Sequence, residues 1–172
     1  MKEVTYEQVL AMDPCWCSTE KGRRRLKRYA DKLGGKATAL DILHLSRVSA
    51  ADRLWLVLRE DFVEAAMLHE FACRCAEREL TQAGVTDRRS WDAIEAKRGW
   101  LRGNVSDEQL AAAWDAASDA AWDAASDAAW AAASAAARDA ASDAAWAAEQ
   151  KWQIDELSRM LVEMNGEEAP HD

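Results

Sequence analysis

The chain has little of what breaks helices or builds sheets. Two prolines and seven glycines serve 172 residues, and β-branched residues are sparse; such a composition predicts an all-α protein. Only His44, His69 and His171 are present, and no Gly-rich phosphate loop, nucleophile elbow or His-Glu-x-x-His sequence occurs. The groups that acyl transfer, phosphoryl transfer or zinc-dependent hydrolysis require are therefore lacking, and a non-enzyme without cofactors is expected. Paired carboxylates such as Glu60-Asp61 read as caps and solvated charges, because nothing around them forms a pocket. No run of eighteen apolar residues is free of charge, since Asp115, Asp119, Asp123 and Asp127 interrupt the most apolar tract. A membrane-spanning helix is not expected. Met1-Lys2-Glu3-Val4-Thr5 carries no apolar signal region, so the expected compartment is the cytoplasm.

What is abundant is alanine. Between Ala111 and Ala148, 38 residues hold 23 alanines, and from Trp114 the sequence runs in tetrads, WDAA-SDAA-WDAA-SDAA-WAAA-SAAA-RDAA-SDAA-WAAE. Trp114, Trp122, Trp130 and Trp146 fall on a grid of eight. Alanine is the strongest helix former and the tract contains neither Gly nor Pro, so it predicts helix throughout. Each tetrad gains roughly 40° on a helix of about 100° per residue, so the Trp/Ser line winds about once around the axis. A one-faced amphipathic helix is not expected. The tract reads instead as a central helix whose Ala faces admit close neighbours and whose Trp side chains fill the gaps between them.

With 49% hydrophobic residues in 172, the chain is long enough for one domain with a real core. Capping signals divide it. Thr5 with Gln8 opens a short helix that Asp13-Pro14 ends. Cys15-Trp16-Cys17 lies in a loop, and Ser18 or Thr19 caps a basic helix closed by Gly34-Gly35. Thr38 opens an apolar helix through Ile42 and Leu43, and Ser49 another with Leu54, Trp55, Val57 and Leu58 as its apolar face. Asp61 is read as the cap of a helix from Val63 to Gln82, with Ala66, Met67 and Ala72 turned inward and Gly84 as its stop. Asp87 caps a helix with Trp91, Ile94 and Trp100, and Ser106 with Gln109 opens the Ala tract.

The expected organisation is a helical bundle: an N-terminal helical part over 1–106, then 107–165 as a long C-terminal helix of four-residue repeats plus a terminal amphipathic helix in the same domain, then a disordered tail over 166–172. An unbroken helix from Asp107 to Met164 would extend about 87 Å. A break or strong bend is therefore expected between Trp146 and Gln153, where the tetrad register is lost, followed by Ile154, Leu157, Leu161 and Met164 on one face.

Charge is divided unevenly. The net charge is −9, yet residues 1–106 hold 19 Lys/Arg against 16 Asp/Glu while 107–172 hold 3 against 15. Lys21, Arg23, Arg24, Arg25, Lys27 and Arg28 crowd one segment. An overall pI near 4.9 argues against direct nucleic-acid binding; the basic cluster is expected to face the acidic half of the chain or a protein partner. Four cysteines in two Cys-x-Cys pairs invite a zinc reading in which Cys15, Cys17 and Cys73 act with His69. Cys73 and Cys75 lie about 200° apart on a helix and cannot share an ion, so the thiols read as small buried groups in a reducing compartment and no metal is expected.

Recognition is the chemistry that remains. Asp115, Asp119, Asp123 and Asp127 recur every fourth residue, which on a helix makes a ladder of carboxylates about 6 Å apart. Such a ladder steers onto a basic protein surface or imitates a phosphate backbone, with Trp114, Trp122 and Trp130 as aromatic anchors. The runs SAADRLWLVLRE, HEFACRCAEREL and DRRSWDAIEAKRGWLRGNVSDEQLAAAWDAASDAAW resemble immunity proteins of bacterial polymorphic-toxin loci. The likeness rests on Trp55 with Arg59, on Phe71 to Ala76, on Trp91, and on the Gly103 to Leu110 joint that leads into Ala-rich tetrads; it covers about residues 49 to 150. It implies a non-enzymatic helical protein that neutralises a cognate toxin by stoichiometric binding. Sequences of this kind also look at home in phage genomes, which gives the alternative of an anti-defence inhibitor occupying a nucleic-acid channel of a host nuclease. A third alternative is a self-associating module, a homodimer through the Ala face.

Overall fold

The computed structural model describes residues 2–128 and 138–167, with side chains at 2–120 and 146–166. Among the described residues there are eight α-helices, one 3-10 turn and one sheet of two short strands, so the fold is mostly helical, as the composition implies. Contacts divide the chain into two units, Met1–Leu68 with Ala147–Asp172, and His69–Trp146.

In the first unit, strand β1 (Glu3–Thr5) runs into helix α1 (Tyr6–Ala11). The capping box closes as the sequence predicts: the Gln8 N–H donates to Thr5 Oγ1 at 3.3 Å and the Thr5 N–H donates to Gln8 Oε1 at 2.8 Å. A 3-10 turn at Cys15–Cys17 leads to the basic helix α2 (Glu20–Lys32), which Thr19 caps by accepting from the Gly22 N–H at 3.1 Å. Gly34 and Gly35, at φ 74° and 91°, reverse the chain into strand β2 (Lys36–Thr38). This strand pairs antiparallel with β1, Val4 opposite Ala37. Neither strand was legible as one, because three residues are too few for a period-two pattern. Thr38 then caps α3 (Ala39–Leu43) and Ser49 caps α4 (Ala50–Val57).

Two expectations fail around the next helix. Asp61 is not its cap: residues 58–64 form turns and bends in which Phe62 and Val63 are buried, and α5 spans Ala65–Gln82. The apolar pair is drawn into the core before the helix begins. On α5, Ala66 and Ala72 are exposed and Met67 is half-buried, while Phe71 and Cys73 are the buried residues. The bulkier side chains occupy the buried face, where each gains more from burial than a methyl group would.

Helix α8 (Arg138–Glu167) contributes its part from Ala147 to this unit, and Ile154, Leu157, Met160 and Leu161 form its buried stripe, with Met164 half-buried. No break occurs between Trp146 and Gln153, where a break or bend was expected: helical hydrogen bonding is continuous over Arg138–Glu167. Loss of the tetrad register changes which face is apolar but introduces no helix breaker before Gly166. The helix also includes Gly166 and Glu167, where the tail was expected to begin; residues 168–172 lie outside the described ones.

In the second unit, α5 ends at Gly84 (φ 65°), and α6 (Arg88–Leu101) starts from Asp87, whose carboxylate accepts from the Arg89 N–H at 2.9 Å. Ser106 and Gln109 close the predicted capping box of α7 (Asp107–Ala128). Helices α6 and α7 form the most extensive helix pair. A Cβ on the buried Gly99 of α6 would stand 2.5 Å from Val105 Cγ2, so glycine there lets the joint before α7 close tightly. The stretch between α7 and α8, with Trp130, lies outside the described residues, as do the side chains of Trp122, Asp123 and Asp127.

Candidate functional site

Where its side chains are described, α7 is one-faced; the winding expected over nine tetrads falls mostly on side chains outside the described ones. Leu110, Ala113, Ala116, Ala117 and Ala120 are half-buried or buried, while Glu108, Ala111, Trp114, Asp115, Ser118 and Asp119 are exposed. At about 100° per residue these two sets fall on opposite sides of the axis. A drift of roughly 40° per tetrad is too slow to turn the surface over within the first tetrads. Small alanines face inward, and the α6–α7 joint is closed by Gly99 against Val105. Trp114 does not fill a gap between helices: it is 62% exposed, and Trp146 on α8 is 65% exposed.

Asp115 and Asp119 share the exposed face one turn apart, and no ion pair among the described residues engages either of them. The structure thus places Trp114, Asp115 and Asp119 on one solvent-facing side of α7. Among the described residues it presents two carboxylates without an ion pair and an exposed indole, a combination suited to a basic surface with an apolar socket.

The second unit contains two polar nodes that sequence reasoning missed, one joining α5 to α6 and one joining α6 to α7. Arg98 on α6 grips two carboxylates of α5: its Nη2 donates to Glu70 Oε1 at 2.9 Å and to Glu77 Oε2 at 2.9 Å, and its Nε donates to Glu70 Oε2 at 3.0 Å. The hydrogen bonds it donates to Glu77 and Glu70 hold the guanidinium firmly charged. Burial would raise the Glu70 pKa, but the hydrogen bonds from Arg98 and Arg74 outweigh it and leave the carboxyl below its ordinary range. Trp100 is the other node. Its ring meets His69 edge-on at 6.0 Å, Lys97 Nζ lies 3.9 Å from the ring centre, and its Nε1–H donates to Asp107 Oδ1 at 2.7 Å, at the first turn of α7. Glu70, Glu77 and Arg98 resemble ordinary surface charges in sequence; only the spacing of Glu70 and Glu77 by two turns of α5 hints at a shared cation.

In the first unit, the basic segment is partly neutralised by its own helix, with Arg24 3.7 Å from Glu20 and Lys27 3.0 Å from Asp31. Arg23 Nη1 donates to the Cys17 carbonyl at 2.9 Å and Arg25 Nη2 to the Arg47 carbonyl at 2.7 Å. None of the cysteines forms a disulfide: Cys15 is exposed, Cys75 half-buried, Cys17 and Cys73 buried. Burial pushes the Cys17 and Cys73 thiols up in pKa. No group of three or more His, Cys, Asp or Glu side chains among the described residues is arranged to hold a metal ion. No helix among the described residues is long and apolar enough to cross a membrane.

Comparison with protein-family models, with curated proteins and with solved structures returned no match.

Proposed function

We propose that this chain is a non-enzymatic, immunity-type inhibitor that neutralises a cognate toxin or effector by stoichiometric binding through the exposed face of α7. The reading is carried by one observation: Trp114, Asp115 and Asp119 face solvent together and no described cation of the chain pairs with either carboxylate. Unpaired surface carboxylates keep their field available to a basic partner and raise its rate of approach. An exposed indole is the side chain that most often anchors a protein interface once desolvated. The proposed interface also includes Asp123, Asp127, Trp122 and Trp130, whose side chains lie outside the described ones. The anti-defence alternative uses the same carboxylates, whose rise of about 6 Å per step suits a channel built for a nucleic-acid strand.

The test uses the tagged full chain, captured from its native host together with whatever effector it binds, and a variant carrying Asp115→Lys and Asp119→Lys. Binding should be 1:1, weaken with salt, and abolish the effector's activity; the variant should keep its melting temperature and lose the complex. An effector that stays active when saturated with the chain would refute inhibition. A variant that binds as well as wild type would remove α7 from the interface. Capture of a nuclease that cuts or binds nucleic acid in a host defence system would decide for the anti-defence alternative, and capture only of the chain itself would decide for self-association.

A further inference from the structure

Helix α2 is amphipathic over 13 residues and yet buries none of them. Leu26, Tyr29, Ala30 and Leu33 stand half-buried or exposed on its inner side, because beneath them lies a cavity of about 280 Å³ within the first unit. Val9, Trp16, Ile42 and Leu56 complete its apolar lining. The helix cannot settle into the space. At its first turn Gly22 already abuts the Trp16 carbonyl, and at its other end Gly34 and Gly35 tie it to the β1–β2 pair. An apolar helix face held over an unfilled apolar cavity forfeits contacts that an occupant would supply.

The charged part of the lining is mostly basic, with Lys21, Arg25, Lys36 and Arg53 against the single carboxylate Asp52. Lys36 is paired with Glu3 at 3.6 Å and Asp52 accepts from the Ser49 hydroxyl at 2.6 Å. Arg25 and Arg53 also line the cavity, and among the described residues each guanidinium donates only to a backbone carbonyl, that of Arg47 or Leu43. Arg53 Nε is buried with no hydrogen-bond partner among the described residues. A buried donor on a cation is costly to leave unmatched, and a guanidinium fork matches a carboxylate.

We infer that this cavity is a binding site for a small amphiphilic carboxylate, its acid group toward Arg25 and Arg53 and its aliphatic or aryl tail against α2 and the apolar lining of Val9, Ile42 and Leu56. An apolar cavity of about 150 Å³ holds benzene, so in proportion this space takes on the order of ten non-hydrogen atoms. That is the size of octanoate and less than a phospholipid or a long-chain acid. The site is in the first unit and is independent of the partner-binding reading of α7.

Calorimetric titration of the full chain tests it, with octanoate, octanol and octylammonium as probes below their aggregation limits, and with straight-chain acids from butyrate to palmitate. Octanoate should bind 1:1 and at least about tenfold tighter than octanol, the worth of one charge-assisted hydrogen bond. Affinity should rise with chain length to about eight carbons and then fall. Arg25→Gln should lose most of that tenfold margin while leaving octanol unaffected, and Ala30→Phe or Ala37→Leu, which fill the cavity, should abolish binding of both. Equal affinity for octanoate and octanol, affinity that climbs through palmitate, or undiminished binding to a folded filled variant would each overturn the assignment. So would the absence of binding to wild type.

Discussion

Gly22→Ala separates local propensity from tertiary packing by the sign of its effect. Gly22 sits inside α2, where alanine is intrinsically favoured over glycine by about 0.8–1.0 kcal/mol. Helix propensity alone therefore predicts a more stable protein. The structure predicts the reverse. A Cβ at this position would lie 1.7 Å from the Trp16 carbonyl oxygen and 2.8 Å from its carbon, against roughly 3.3 Å for an ordinary carbon–oxygen contact. The obstacle is backbone, so no rotamer change relieves it; helix and 3-10 turn must part by about 1.5 Å. That movement disturbs the Thr19 cap, which is made to Gly22 itself, and the bond from Arg23 to the Cys17 carbonyl. An overpacking cost near the upper end of 1–3 kcal/mol, offset by about 1 kcal/mol of propensity, leaves a loss of about 2 kcal/mol. For a chain of this length it corresponds to a fall in Tm of about 4–8 °C. Urea unfolding followed by far-UV circular dichroism measures it. Gly166→Ala is the control, a helical glycine of α8 with nothing within 4 Å of the added Cβ, and should be neutral or stabilising by up to about 1 kcal/mol. If Gly22→Ala were as stable as wild type, the close approach of α2 to Trp16 would be wrong, and with it the propped cavity.

Other outcomes follow from the second unit and the thiols. Arg98→Met leaves Glu70 and Glu77 without the cation they share. Because the carboxylates are about a third exposed, the cost should be about 2–3 kcal/mol and not the full penalty of a buried unpaired charge; a loss below 0.5 kcal/mol by urea titration would sink this account. The Glu70 carboxyl is held below its ordinary pKa. Its contribution to stability is thus complete above the unfolded value near pH 4.5 and is lost as pH falls through the lower folded value, and Arg98→Met should flatten the stability profile in that acid range. Gly99→Ala should destabilise by about 1–3 kcal/mol, and Val105→Ala in the same chain should recover most of the loss, since the added methyl meets that side chain; the double-mutant cycle reads the coupling. Cys15 should react with a thiol reagent in the native protein, whereas Cys17 and Cys73, buried and raised in pKa, should react only on unfolding. Equal labelling of Cys15 and Cys17 at pH 8 would contradict the packing of the 3-10 turn.

Most helix boundaries were legible because they depend on neighbours within one turn. Thr5 with Gln8, Thr38, Ser49, Asp87, and Ser106 with Gln109 cap as their spacing predicts, and Gly34, Gly84 and Gly103 take the positive φ that ends a helix. The stripe of Ile154, Leu157 and Leu161 was readable for the same reason, as apolar residues repeated at helical spacing. The candidate face was partly legible: periodicity placed Asp115 and Asp119 on one side of a helix, but not which side packs. That choice belongs to the joint at Gly99 and Val105 and to the bond from Trp100 to Asp107 at the start of α7.

What the linear chain determined by itself, then, was helix: its propensity, its caps, its stops, and the ladder of carboxylates that a four-residue repeat sets on it. Tertiary structure decided what lies against what. Asp61 lost its role as a cap because Phe62 and Val63 are buried ahead of the helix. The β1–β2 pair formed because Gly34 and Gly35 return the chain to its start, and Trp114 was left in solvent on the side of α7 opposite its buried alanines. Capping energies arise within a turn of backbone, whereas burial and ion pairing depend on residues tens of positions apart, and no local pattern records which of those meet.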